Sequence, residues 1–156
     1  AGTVTPLWYG ASDADFSQTA SLADITITKA CLALRRKSQG GTTPALMSLV
    51  RPAFSEKGND GAIVSTAVGK YLPNAWGLHD MHGNAAEWTR STYKPYPYRS
   101  SDARDDPNAS GRKVVRGGSF HDRPAEARSA HRLSYPSWRR VFNVGFRITC
   151  QVEGAR

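Results

Sequence analysis

The twelve residues Gly77-Leu78-His79-Asp80-Met81-His82-Gly83-Asn84-Ala85-Ala86-Glu87-Trp88 constrain this chain more than any other stretch. Gly83 and Asn84 both tolerate positive φ, so the backbone can reverse tightly there. Asp80 and Glu87 set two hard oxygen donors on either side of that reversal. With the carbonyls between them, such a loop can wrap a small hard cation. The same residues also read as a plain turn, with Glu87 bonded to backbone amides and Trp88 in the core. His79 and His82 have no third soft ligand close in sequence, so zinc is not expected and both are read as surface residues.

A length of 156 residues fits one domain. Hydrophobic residues make up 39%, enough for a modest core, and fourteen Gly with nine Pro predict many turns and little long helix. No run of 18 apolar residues predicts a membrane-crossing helix, and no membrane partner is expected. Residues 1–10 lack the charged start and apolar run of a signal peptide. The net charge of +8 favours acidic partners. Arg128, Arg132, Arg139, Arg140 and Arg147 crowd the C-terminal part. Cys31 and Cys150 sit at an uninformative spacing and are expected as reduced thiols.

Along the chain, residues 1–10 predict a short strand with a turn at Gly10, and residues 11–24 a loop with one helical turn. Ile25 to Leu34 is unassigned, and the stretch from Arg35 to Ala53 reads as irregular. Asn59-Asp60-Gly61 is a turn signal, followed by a short strand over Ile63 to Val68. A strand is expected from Ala86 to Thr92 and an exposed, extended Pro-rich stretch from Tyr93 to Tyr98. Lys113 to Phe120 is the most strand-like run, and Val144 to Cys150 reads as the last strand.

Four motifs carry a resemblance. Gly77 to Trp88 resembles the "GL-x-DM-x-GN-x-x-EW" signature of the formylglycine-generating enzyme, or sulfatase-modifying factor, family. Ala1-Gly2-Thr3-Val4-Thr5-Pro6 resembles the family's "AGT-x-TP" segment. Val115-Arg116-Gly117-Gly118-Ser119-Phe120 resembles its "RGGS-aromatic" strand, and Asn143-Val144-Gly145-Phe146-Arg147 its closing "N-x-GFR" strand. The resemblance implies an α+β, C-type-lectin-like fold of short antiparallel strands with long loops and little helix. It also implies that residues 1–150 are the C-terminal part of one such domain, with 151–156 a tail. On this reading the chain is a fragment or cleavage product of a larger, multidomain bacterial protein, for example one fused to a kinase or caspase-like peptidase. The N-terminal half of the same domain would be its first partner. A bacterial cytoplasm is the expected compartment.

The resemblance further implies structural calcium. Its ligands would be the side chains of Asp80 and Glu87 and the carbonyls of Gly83 and Ala85. A second calcium would fall on Ser21, the carbonyl of Leu22, Asp60 and the carbonyl of Ala62, with Asp24 as a substitute donor; a plain Asx turn at Asn59-Asp60 competes with it. Formylglycine-generating enzymes hold copper with two cysteines shortly after the "RGGS" strand. Here Phe120-His121-Asp122-Arg123-Pro124-Ala125-Glu126-Ala127-Arg128 follows, with no cysteine. Neither His nor Asp replaces a thiolate pair for Cu(I), so formylglycine generation is not expected.

The same segment suits ligand binding. His121, Asp122, Arg123, Glu126, Arg128, His131, Tyr135, Trp138, Arg139 and Arg140 form an aromatic and charged set for a protein or small acidic ligand. Nucleic acid is not expected, because no binding module is visible and Asp102, Asp105 and Asp106 dilute the field. The expected function is therefore a non-catalytic, calcium-stabilised recognition or regulatory module. The alternatives are a metal-dependent oxidoreductase of the formylglycine-generating or ergothioneine-synthase type, and a retroelement variable protein that displays a binding surface.

Overall fold

A computed structural model describes residues 2–24, 26, 29–30, 33, 58–99 and 101–150. The readings made for Cys31, for Arg35 to Ala53 and for the tail lie outside them. Among the described residues the architecture is a four-stranded sheet with long loops. The strands are β1 (Ala86–Thr92), β2 (Arg112–Arg116), β3 (Leu133–Pro136) and β4 (Val144–Phe146), in the order β3-β2-β1-β4. A one-turn helix, Pro124–Ala127, lies between β2 and β3.

The sheet is mixed. β1 pairs antiparallel with β2, and β2 with β3, but β4 runs parallel to β1, with Trp88 opposite Phe146. The all-antiparallel expectation is therefore corrected, because the chain from β3 to β4 crosses to the far edge rather than turning back as a hairpin. β4 is also shorter than the strand read from Val144 to Cys150. The expected strand over Ile63 to Val68 does not form, and residues 2–10 contain only a bridge between Leu7 and Gly10. Among the described residues neither stretch has a neighbouring strand for its backbone groups, and Ile63, Val64 and Val68 are exposed.

Leu7, Phe16, Ala20, Leu22 and Ala127 form the main buried cluster, with Tyr9 packed against it. A helical turn bonds Ala20 N–H to the Phe16 carbonyl at 3.0 Å, which turns both side chains inward. Gly118 lets the one-turn helix lie close to the end of β2: a Cβ there would stand 2.8 Å from Ala127 Cα. Tyr93, Tyr96 and Tyr98 do not simply extend into solvent. Their rings surround the Arg132 guanidinium, with ring centres 4.8, 4.1 and 4.9 Å from it. Trp88, expected in the core, is half-buried and meets the Tyr135 ring edge to face at 6.1 Å.

His82 is buried rather than at the surface. Its Nδ1–H donates to the Ala127 carbonyl at 2.7 Å, while Nε2 accepts from Trp8 N–H at 3.2 Å. That pair of bonds requires the neutral ring, and burial lowers its pKa. As pH falls below about 6.5 the unfolded chain takes up a proton that folded His82 resists, so stability falls with pH. Equilibrium urea melts should show this loss between pH 7 and 5, and a much flatter profile in His82→Gln. Gly83→Ala should cost at least ~2 kcal/mol by the same melts, because its φ is +80° and a Cβ would stand 2.2 Å from the Ser21 carbonyl.

Candidate functional site

The Gly77–Trp88 loop folds as a reversal laced to two other segments. Asn84 has φ 61° and Asp80 φ 54°. Gly83 N–H donates to the Gly117 carbonyl at 2.9 Å, and Asn84 N–H to the Ser21 carbonyl at 2.7 Å. The Asn84 carbonyl accepts from Phe120 N–H at 2.9 Å, and its side-chain oxygen accepts from Thr66 N–H at 2.9 Å. Asp80 is nearly buried, and its Oδ2 accepts from Gly69 N–H at 2.7 Å. Its Oδ1 is buried without a hydrogen-bond partner.

Asp80, Ala85 and Glu87 share one cavity of about 400 Å³. Arg147, at the end of β4, lines it as well. Its Nη2 and Nε reach Glu87 at 2.8 and 3.0 Å, and Nη2 also donates to the His79 carbonyl at 2.9 Å. The hydrogen bond to Glu87, strengthened by its charge, raises the Arg147 pKa further. A guanidinium therefore already meets Glu87, one of the two carboxylates that the sequence offers a cation. The Gly83 N–H is committed to the Gly117 carbonyl. Among the described residues no group of three or more His, Cys, Asp or Glu side chains converges as a metal site.

Asp60 forms the Asx turn, its Oδ1 accepting from Ala62 N–H at 2.8 Å. Its Oδ2 accepts from the Tyr71 hydroxyl at 2.6 Å. Leu22 is in the core. Asp24, fully buried, accepts from Thr26 N–H at 2.7 Å and from Asp60 N–H at 3.0 Å. Burial, with the Asp60 carboxylate nearby, pushes the Asp24 pKa up. Of the second set, Asp60 thus holds the Tyr71 hydroxyl and the Ala62 N–H, with Asp24 joined to the Asp60 backbone.

The segment after β2 divides. Asp122 is buried and its Oδ2 accepts from both Ser119 N–H and the Ser119 hydroxyl, at 2.9 and 2.6 Å. Asn143 Nδ2 donates to that hydroxyl at 2.7 Å. Glu126 accepts from Arg123 N–H at 3.1 Å, and Arg128 Nε donates to the Ala125 carbonyl at 2.6 Å. His131 is half-buried, its carbonyl accepting from Arg116 at 3.3 Å. These residues brace the fold. Trp138 is 81% exposed, and Arg139 and Arg140 beside it are exposed. Arg139 lies 5.4 Å over the Tyr135 ring, and Phe142 meets the rings of Phe120 and His121 at 6.2 and 5.4 Å.

A mixed sheet with little helix, a Gly-Asn reversal feeding β1 and a Glu–Arg pair across β1 and β4 define a loop-rich scaffold of the sulfatase-modifying-factor kind. The chain belongs to that family: the family described as "Sulfatase-modifying factor enzyme 1-like domain" matches residues 38–152. The match takes in three of the four motifs, and the Ala1–Pro6 segment lies before it. Among solved structures the chain is similar to Treponema denticola variable protein 1, at 27% identity and TM-score 0.47 over 56% of this chain and 32% of that one. It is also similar to PvdO from Pseudomonas aeruginosa, at 27% identity and TM-score 0.49 over 56% and 34%. The chain thus spans only 32% and 34% of those proteins. No curated protein matches it.

Sequence reasoning found Glu87 and Arg147 but not that each is the other's partner, since sixty positions separate them. It also missed His82 as an internal brace; its place beside Gly83, in the most laced part of the chain, is the one signal that pointed there. Arg147→Gln and Glu87→Gln should each cost ~1–2 kcal/mol in urea melts, because each leaves charged or polar partners unpaired. The double variant should cost clearly less than the two single costs added together.

Proposed function

We propose that this chain is a recognition module of its family, not a formylglycine-generating oxidase, and that it contacts an acidic ligand through the turn 137–142. The observation that carries this reading is the division of the segment after β2. In the segment where the oxidase pattern calls for two thiolates stands Asp122, whose carboxylate accepts from Ser119 of the preceding strand, and half-buried Asn143 donates to that Ser119 hydroxyl. Cu(I) chemistry needs soft ligands, and that network offers only hydroxyl, amide and carboxylate groups. The turn beyond it leaves Trp138, Arg139 and Arg140 exposed, the residue types that anchor interfaces. Two adjacent guanidinium groups beside indole and phenol rings favour carboxylate-bearing partners.

Structural calcium belongs to the same reading. The partnerless Asp80 Oδ1, in the cavity that Glu87 and Ala85 also line, suits a hard cation. Asp80, the Ala85 carbonyl and Glu87 would hold it, with Glu87 shared between the ion and Arg147. Bound there, calcium would neutralise the loop's carboxylates.

Incubation of the purified chain with copper, oxygen and a sulfatase-derived cysteine peptide should leave the peptide mass unchanged; conversion to formylglycine would reject the reading. A fluorescent Asp/Glu-rich peptide should bind, with a Kd that rises roughly tenfold in the triple variant Trp138→Ala, Arg139→Ala, Arg140→Ala. Equal binding by the variant would remove the turn from the account. Chelator should lower the melting temperature of the wild-type chain and leave that of Asp80→Ala unmoved.

A further inference from the structure

A second cleft, of about 360 Å³, opens between the N-terminal segment and the end of β2. It shares no lining residue with the turn at 137–142. We propose that it binds a small ring compound that carries a carboxylate. Trp8, Trp76, His82 and Arg116 line it, with Asn74 and Met81. Its volume is at the small end of the range for ligand sites.

Each chemical feature of this cleft is fixed by an independent brace. Trp76 is 68% exposed, yet it stands on a rigid turn. Buried Asn74 accepts from both Trp76 N–H and Leu78 N–H through its Oδ1, at 2.9 and 3.1 Å. Asn74 also exchanges backbone bonds with Leu78 and Gly77, each at 2.9 Å. These four bonds fix the backbone that carries Trp76, and its exposed indole offers a flat apolar face. Trp8 is fixed from behind by the bond from its N–H to buried His82. Arg116 is fixed through Nη1, which donates to the carbonyls of Ser129 at 2.6 Å and His131 at 3.3 Å.

That geometry leaves Arg116 Nη2 and Nε without a protein acceptor among the described residues. Glu87 lies directly across the ladder from Arg116 but is committed to Arg147. Among the described residues no carboxylate lines the cleft, and Arg116 is its one charged side chain. An anchored guanidinium with unused donors recognises a carboxylate by paired hydrogen bonds. Two indoles beside it select a flat or ring-shaped body, and a neutral His82 adds no competing charge. A ring acid is the compound that satisfies all three features at once.

The test is calorimetric titration of the whole chain with benzoate and with glucuronate, against acetate and benzyl alcohol as controls. Tighter binding of benzoate assigns an aromatic acid, and tighter binding of glucuronate assigns a sugar acid. If neither exceeds both controls, the proposal is overturned. Trp76→Ala should weaken the preferred acid about fivefold or more with the melting temperature retained, since the ring is exposed. Arg116→Lys should weaken it similarly, by removing the fork while keeping the charge. Unchanged affinity in both variants would also overturn the site. Trp138→Ala should leave this titration unaltered, so failure here and failure at the 137–142 turn are separately visible.

Discussion

The reversal at Gly83 and Asn84 is the constraint on which the remaining structure depends. Three backbone groups of two consecutive residues bond to two other segments, at Ser21 and at Gly117 and Phe120. Such lacing needs a backbone that turns through positive φ while the Ser21 carbonyl comes too near for any Cβ. Only glycine meets that at position 83, and asparagine is among the few residues that accept it at position 84. β1 leaves this reversal at Ala86, so its register against β2 and β4 is inherited from it.

Charge is handled in the same local way. The chain is strongly basic, yet the groups that matter act in pairs or in fixed isolation. Arg147 meets Glu87 and the neighbouring carbonyls, which ties β4 to β1 with a planar fork. Arg132 lies within three tyrosine rings, and Arg116 is held to two carbonyls with no counter-charge among the described residues. The first two are cations absorbed into the fold. The third is a cation left available by it. His82 and Asp122 make the complementary point for buried polar groups: each has specific partners, as a low-dielectric interior requires.

Much of this was legible in the residues. The Gly77–Trp88 motif, the strand after Ala86, the presence of a strand from Lys113, although it ends at Arg116 and not at Phe120, and the absence of a cysteine pair beyond it are local features. Local features follow from side-chain chemistry and backbone preference, which the sequence carries directly. The Asx turn at Asp60 was readable for the same reason.

The sequence by itself determined the family, the scarcity of helix and the place of the tight reversal, because each rests on residue type at short spacing. The tertiary structure decided that β4 runs parallel to β1, that Arg147 faces Glu87, that His82 is a buried brace and that Trp8, Trp76 and Arg116 share a cleft. Those facts depend on contacts between residues tens of positions apart. Such contacts are set by which packing buries apolar surface and pairs every buried polar group, and no short window of sequence contains both partners.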